Sequence, residues 1–177
     1  MDINFLKVLN EALDADANNL NDNFWNWFGS SKVKAGNEPI MCYHGSRAYF
    51  EVFVPSTSVG NQGEDDQIEG IYFTDNKDGA SFFASSDDDR YLKKVFLSIK
   101  KPYVVESHNV LKDELGIDLL ADANKRLKQM GYDGIIMDRG FYAMGGPHRL
   151  FLAFYPNQVK SINNDGSWDV NDDNILS

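Results

Sequence analysis

The chain has 177 residues, and 27 acidic against 17 basic side chains give it a formal net charge of −10 at pH 7. Hydrophobic residues at 42% and aromatics at 13% suffice to fill a core, which excludes wholesale disorder, and the length suits one domain with a small appendage. The acidic balance excludes a surface that tracks a phosphate backbone, while leaving room for a local basic pocket.

In chain order, residues 2–20 predict an amphipathic helix: Ile3, Leu6, Leu9, Leu13, Ala17 and Leu20 recur every three or four positions behind a possible Asp2 N-cap. The Asn-rich run 18–23 ends it. Residues 24–29, dense in Phe and Trp and closed by Gly29, read as a helical turn pinned into the core. An extended segment over 39–44 stops at Gly45-Ser46, and residues 49–54 form a second one. Residues 55–69, centred on Glu64-Asp65-Asp66, read as a solvated loop. A short strand over 71–73 precedes a helix over 77–85. Residues 91–99 alternate as a long strand with Val95, Leu97 and Ile99 on one face. Residues 110–130 predict one helix whose buried stripe is Leu115, Leu119, Ala123 and Leu127, ended by Gly131. Strands follow over 135–137, 150–154 and 159–162, and the polar tail carries buried Trp168 and Ile175. Short strands interleaved with three helices, without internal repeats, define an α+β fold.

Cys42 is the only cysteine, which excludes an internal disulfide and a cysteine-rich zinc site and suits a reducing cytoplasm. It reads as a small core residue. No apolar run approaches the roughly 20 residues of a membrane span, and the start of the chain lacks the basic region and cleavage site of an export signal. A soluble, cytoplasmic protein is expected, with no membrane partner. His44, His108 and His148 are too scattered to suggest a metal site. There is no G-x-G-x-x-G after a strand, no Walker loop, no H-E-x-x-H and no G-x-S-x-G.

Two strand-end motifs remain. Tyr43-His44-Gly45-Ser46-Arg47 sets a His beside a glycine, where a ligand can approach the backbone closely. Gly70-Ile71-Tyr72-Phe73 sets a Tyr one residue inside a strand. Together, with 28 residues between His44 and Tyr72 and a helix after the second motif, they resemble the first two motifs of the His-Tyr branch of ADP-ribosyltransferases, that of diphtheria toxin and poly(ADP-ribose) polymerases. The chain most resembles the ADP-ribosyltransferase domain of phage polyvalent proteins. Further blocks carry that resemblance: Trp27-Phe28-Gly29-Ser30-Ser31-Lys32-Val33, Gly131-Tyr132-Asp133-Gly134, Phe154-Tyr155-Pro156-Asn157-Gln158 and Asn164-Asp165-Gly166-Ser167-Trp168-Asp169. It covers residues 24–176, which leaves 1–22 as a helical appendage to a transferase-like domain over 23–177.

The resemblance implies a split β-sheet core with flanking helices, NAD as substrate and no metal. It implies that nicotinamide stacks on Tyr72, that the backbone of Gly45 holds its carboxamide, and that His44 bonds a hydroxyl of the adenosine ribose. Ser46 and Arg47 would line the dinucleotide, with Arg47 and Arg90 as candidates for its pyrophosphate. Ser81 would complete the carboxamide contacts and Phe83 the opposite stacking face. The third motif departs from the pattern: where related enzymes carry a Glu that polarises the ribose and acceptor, this chain has Leu150. An apolar residue there goes with single transfer or with loss of activity. The expected function is mono-ADP-ribosylation of a macromolecule, a host protein in preference to nucleic acid, by a phage or bacterial effector. The alternatives are a catalytically degenerate module that binds NAD or ADP-ribose, and a structural phage protein. A substitute acid would come from the 64–69 loop or from Asp133, although a turn role for Asp133 is favoured.

Overall fold

The computed structural model describes residues 20–56, 67–138 and 148–177. The helix expected over 2–20, apart from Leu20, and the acidic centre of the 55–69 loop lie outside the described residues. The elements in chain order are α1 (Asp22–Phe28), β1 (Lys34–Ala35), β2 (Glu38–Pro39), β3 (Cys42–Gly45), β4 (Ile71–Thr74), α2 (Lys77–Ser81), β5 (Leu92–Leu97), β6 (Pro102–Val105), α3 (His108–Leu115), α4 (Ala121–Gln129), β7 (Gly134–Met137), β8 (Leu150–Ala153), a 3-10 turn (Pro156–Gln158) and β9 (Val159–Ser161).

β1 and β2 form a small hairpin, and the other seven strands form one sheet in the order β6-β7-β8-β4-β3-β5-β9. Among the described residues only β6 and β7 pair in parallel, and α3 and α4 make the crossover that a parallel pair requires. The sheet consists of two halves. β3 is registered to β5, and β4 to β8, over four residue pairs each. β3 and β4 meet at a single pair, Tyr43↔Thr74. This is the split that the resemblance implies, and it opens a gap in the middle of the sheet.

Each face of the sheet is covered. Cys42, Ile71, Phe73, Val95, Leu97, Ile99 and Phe151 pack on one side with Phe53 and Ile175. Ile135, Met137 and Leu152 pack on the other against Leu111, Leu115 and Leu127 from the two crossover helices. An aromatic cluster pins α1: Phe24, Trp27 and Phe28 close on Phe96 and Trp168, with the Phe24 and Trp168 rings 4.8 Å apart. Burial of each such side chain contributes roughly 2 kcal/mol. Asn21 caps α1 by accepting from the Phe24 N–H at 3.0 Å, and its Nδ2 donates to Gly166 O at 2.9 Å, tying the helix to the tail.

The expected core residues Cys42, Trp168 and Ile175 are all buried. Several expected elements differ. The single helix over 110–130 is two, because Gly116 takes the left-handed conformation (φ 60°) that ends α3, its N–H donating to Asp113 O and Lys112 O. That break resets the helical phase, so Leu119 is 45% exposed and Leu120 takes the buried position. The extended stretch over 49–54 forms no strand; its one sheet-like contact among the described residues is the isolated Val52↔Asn174 bridge. β6 was not expected. It opens on Pro102 and borders the sheet, where a missing N–H donor is tolerated. The helix after Tyr72 stops at Ser81, four residues early.

Candidate functional site

The gap between β3 and β4 is bridged by a side chain. His44 Nδ1 lies 2.8 Å from the carbonyl oxygen of Tyr72. A carbonyl only accepts, so Nδ1 carries the proton. Burial holds the imidazole pKa down at about 4, against the pull of that hydrogen bond, and the nearby Lys93 charge lowers it further. The ring is therefore neutral at pH 7, and its Nε2 is left as an acceptor. Phe50, Phe53 and Phe73 hold the ring, with centroids at 6.0, 4.9 and 5.6 Å.

Tyr72 is fixed at its far end. Its hydroxyl donates to Ile68 O at 2.7 Å and accepts from Ile68 N–H at 3.0 Å. Burial pushes the phenol pKa well above its ordinary value, so the group is no acid or base near neutrality. What it offers is a half-buried ring face, locked by packing and by both backbone bonds.

Continuing the Tyr43↔Thr74 register by two residues sets Gly45 opposite Tyr72 across the gap. Ser46 N–H donates to Tyr91 O at 2.7 Å, which sets the phase of the ladder toward β5. Alternation then turns the N–H and C=O of Gly45 toward β4, beyond the one registered β3–β4 pair. The glycine is required by packing: a Cβ there would approach Ala80 O to 1.9 Å and Ala84 N to 2.9 Å, both backbone atoms at α2 and the turn after it. The sequence reading gave this glycine to ligand approach; the structure adds close approach of a helix.

The remaining expected residues fall unevenly. Ser46 Oγ is occupied by Ala48, donating to its O and accepting from its N–H at 3.1 Å each. Arg47 is exposed. Arg90 forks onto Asp88 at 2.9 and 3.0 Å. Ser81, half-buried, ends α2. The Phe83 ring pairs with Phe82 at 5.6 Å and makes no ring contact with Tyr72 among the described residues. Leu150 opens β8, paired with Thr74 on one side and Met137 on the other. Residues two apart in a strand share a face, so Leu150 lies on the face that carries Tyr72, and both pack against the same cluster.

Of the candidates for a substitute acid, Asp133 is engaged elsewhere. The Asp133 carboxylate accepts from Lys100 N–H at 2.9 Å and Lys101 N–H at 2.7 Å, closing the turn before β7. Glu64, Asp65 and Asp66 lie outside the described residues. Asp75 accepts from Arg149 Nε at 2.8 Å and from its N–H at 2.9 Å.

Two residues escaped sequence reasoning. Gln158 is a clamp: its Oε1 accepts from Phe154 and Tyr155 N–H at 2.9 Å each, and its Nε2 donates to Asp133 O at 2.9 Å and Ser98 O at 3.3 Å. Lys93, the register partner of His44, is almost completely buried beside Phe50. A lysine on the strand face that also carries Val95 and Leu97 was the available signal. Among the described residues no group of three or more His, Cys, Asp or Glu could hold a metal, and no helix is long and apolar enough to cross a membrane.

A family model described as ADP-ribosyltransferase in polyvalent proteins matches residues 34–169. No curated protein and no solved structure matches the chain.

Proposed function

The chain belongs to the ADP-ribosyltransferases of polyvalent proteins, and from that premise we propose that it binds NAD at the gap between β3 and β4 and transfers the ADP-ribose to a macromolecular acceptor. Residues 23–177 form the transferase domain in this reading, with 1–22 an appendage. The observation that carries it is the His44–Tyr72 link: one hydrogen bond fixes an acceptor nitrogen and an aromatic plate on either side of an open backbone edge.

Each group then has a task that its chemistry suits. The Tyr72 ring stacks the nicotinamide, and the N–H and C=O of Gly45 receive its carboxamide as a strand would. His44 Nε2 accepts from a ribose hydroxyl, which requires the neutral imidazole. Ser81 and Phe83 reach this pocket only if α2 and the turn after it close over the bound ring. When the C1′–N bond of the nicotinamide ribose breaks, its electron pair leaves with nicotinamide. The acceptor's nucleophile then forms a bond to C1′ and releases its proton. The enzyme's contribution is positioning and exclusion of water around a cationic ribose.

Leu150 supplies no charge to that cation and no base to a second sugar. Single transfer follows, not chain elongation. A phage or bacterial effector acting in a host cytoplasm fits this chemistry, and the −10 charge favours a basic host protein over nucleic acid as acceptor. Leu150 also favours a second reading, an NAD-binding module without turnover. Incubation with labelled NAD and host lysate separates them. Transfer predicts free nicotinamide and a labelled acceptor, both lost in Tyr72→Ala. Tight NAD binding without nicotinamide release selects the binding module, and no binding at all defeats both.

A further inference from the structure

Lys93 on β5 is the register partner of His44 on β3, and directly opposed residues of an antiparallel pair leave the same face with Cβ atoms about 5 Å apart. Both side chains touch one ring: Phe50 has its centroid 6.0 Å from that of His44 and 4.6 Å from Lys93 Nζ. Tyr49 adds a second ring 5.3 Å from the ammonium. Lys93 is 4% exposed. Among the described residues its ammonium makes one hydrogen bond, to Arg90 O at 3.3 Å. An ammonium has three donors, and a buried charge that leaves donors unused is costly. Cation–π contact offsets part of that cost.

Lys93 lines a pocket of about 160 Å³ together with Tyr49, Phe50, Glu51, Asp89 and Arg90. The charges facing it have their own partners. Asp89 holds Lys94 at 3.5 Å, and Arg90 is held by Asp88. Glu51 accepts from the Tyr49 hydroxyl and from Asn174 Nδ2. No carboxylate among the described residues forms an ion pair with Lys93.

We propose that the Lys93 ammonium, through its two unused N–H donors, binds phosphate oxygens of the dinucleotide whose ribose hydroxyl His44 receives. This rests on the NAD reading above. It replaces Arg90, whose fork is already filled by Asp88, as the cation for the pyrophosphate.

The test is calorimetric titration of the wild type, Lys93→Met and Lys93→Arg with ADP-ribose, adenosine and inorganic phosphate. Lys93→Met keeps an apolar stem against Phe50 and removes the charge together with its hydrogen bond to Arg90 O. Its affinity for ADP-ribose is expected to fall about 10- to 100-fold, the range of one charge-assisted hydrogen bond, with adenosine binding unchanged and Lys93→Arg recovering part of the loss. In the wild type, inorganic phosphate is expected to compete with ADP-ribose. Unchanged ADP-ribose affinity in Lys93→Met, or an equal loss for adenosine, overturns the proposal. So does phosphate that binds without competing, since the anion site is then separate from the dinucleotide. Where Lys93→Met does not fold, the competition experiment on the wild type decides alone. A wild type that binds neither NAD nor ADP-ribose defeats the NAD reading itself, whereas ADP-ribose binding indifferent to Lys93→Met defeats only the role of Lys93.

Discussion

The carbonyl oxygen of Ala80 occupies the space that a side chain on Gly45 would need: a Cβ there would come within 1.9 Å of it. The contact is backbone against backbone, so no side chain can move aside. Gly45→Ala must therefore push α2 away from β3, at a cost of about 3 kcal/mol or more by analogy with overpacked cores. Chemical denaturation is expected to show that loss, and NAD binding to weaken further than stability alone explains, because α2 borders the gap.

Tyr72 separates two contributions. Tyr72→Phe keeps the ring but leaves the Ile68 N–H and C=O without the hydroxyl that both now engage. Stability should fall by about 1–3 kcal/mol, with NAD binding largely retained in the folded fraction. Tyr72→Ala removes the plate, and the loss of ring stacking, about 1–3 kcal/mol, should weaken NAD roughly 10- to 100-fold. Equal NAD affinity of the Ala variant and the wild type contradicts the stacking role.

Acid should destabilise the protein through His44. Its folded pKa of about 4 lies below the ordinary 6.5, so between those values the unfolded chain binds the proton more readily. Stability is then full above about pH 6.5, falls as pH drops toward about 4, and levels below that once both states are protonated. His108, also lowered by burial, adds to the same slope. Denaturation midpoints measured from pH 7 to pH 4 should show a shallower dependence in His44→Gln than in the wild type. ADP-ribose affinity should decline in the acid range as well, because a protonated Nε2 donates where it must accept.

Gln158→Leu should be costly for a different reason. The side chain satisfies four backbone groups at once, and at about 1 kcal/mol for each bond the loss is about 4 kcal/mol. Chemical denaturation tests it. Ligand affinity of the folded fraction should change little, since the clamp joins the far ends of β5, β7 and β8.

These contrasts show where the sequence was informative. His44, Gly45 and Tyr72 belong to short local motifs at strand ends, so their residue types single out a candidate site without any long-range contact. The role of Gln158 depends on Ser98 and Asp133, 60 and 25 residues away, and no local pattern encodes it. Lys93 is hidden for a related reason: alternation puts it on the face of Val95 and Leu97, but the rings that cover its ammonium come from residues 49 and 50, on a distant stretch of chain. The division of the 110–130 helix was present in the sequence as Gly116, but a continuous apolar periodicity concealed it.

Leu150 supports the sharpest test of the missing acid. It opens β8 on the face that carries Tyr72 and is half-buried, so Leu150→Glu would place a carboxylate on that face without entering the packed core beneath. The Arg149 guanidinium is paired with Asp75 at 2.8 Å and lies over the Phe151 ring, on the face opposite residue 150, away from the new charge. A carboxylate there stabilises a developing ribose cation and can take a proton from an attacking nucleophile. One such group commonly contributes 10²- to 10⁴-fold to rate. Nicotinamide release by Leu150→Glu is expected to rise by at least about tenfold over the wild type, with NAD affinity little altered, since the side chain acts on the transition state more than on the bound substrate. A rise in release with unchanged binding would identify the wild type as a transferase restrained by its third motif. A folded Leu150→Glu that binds NAD and releases no more nicotinamide than the wild type would show that an acid at this position does not reach the ribose.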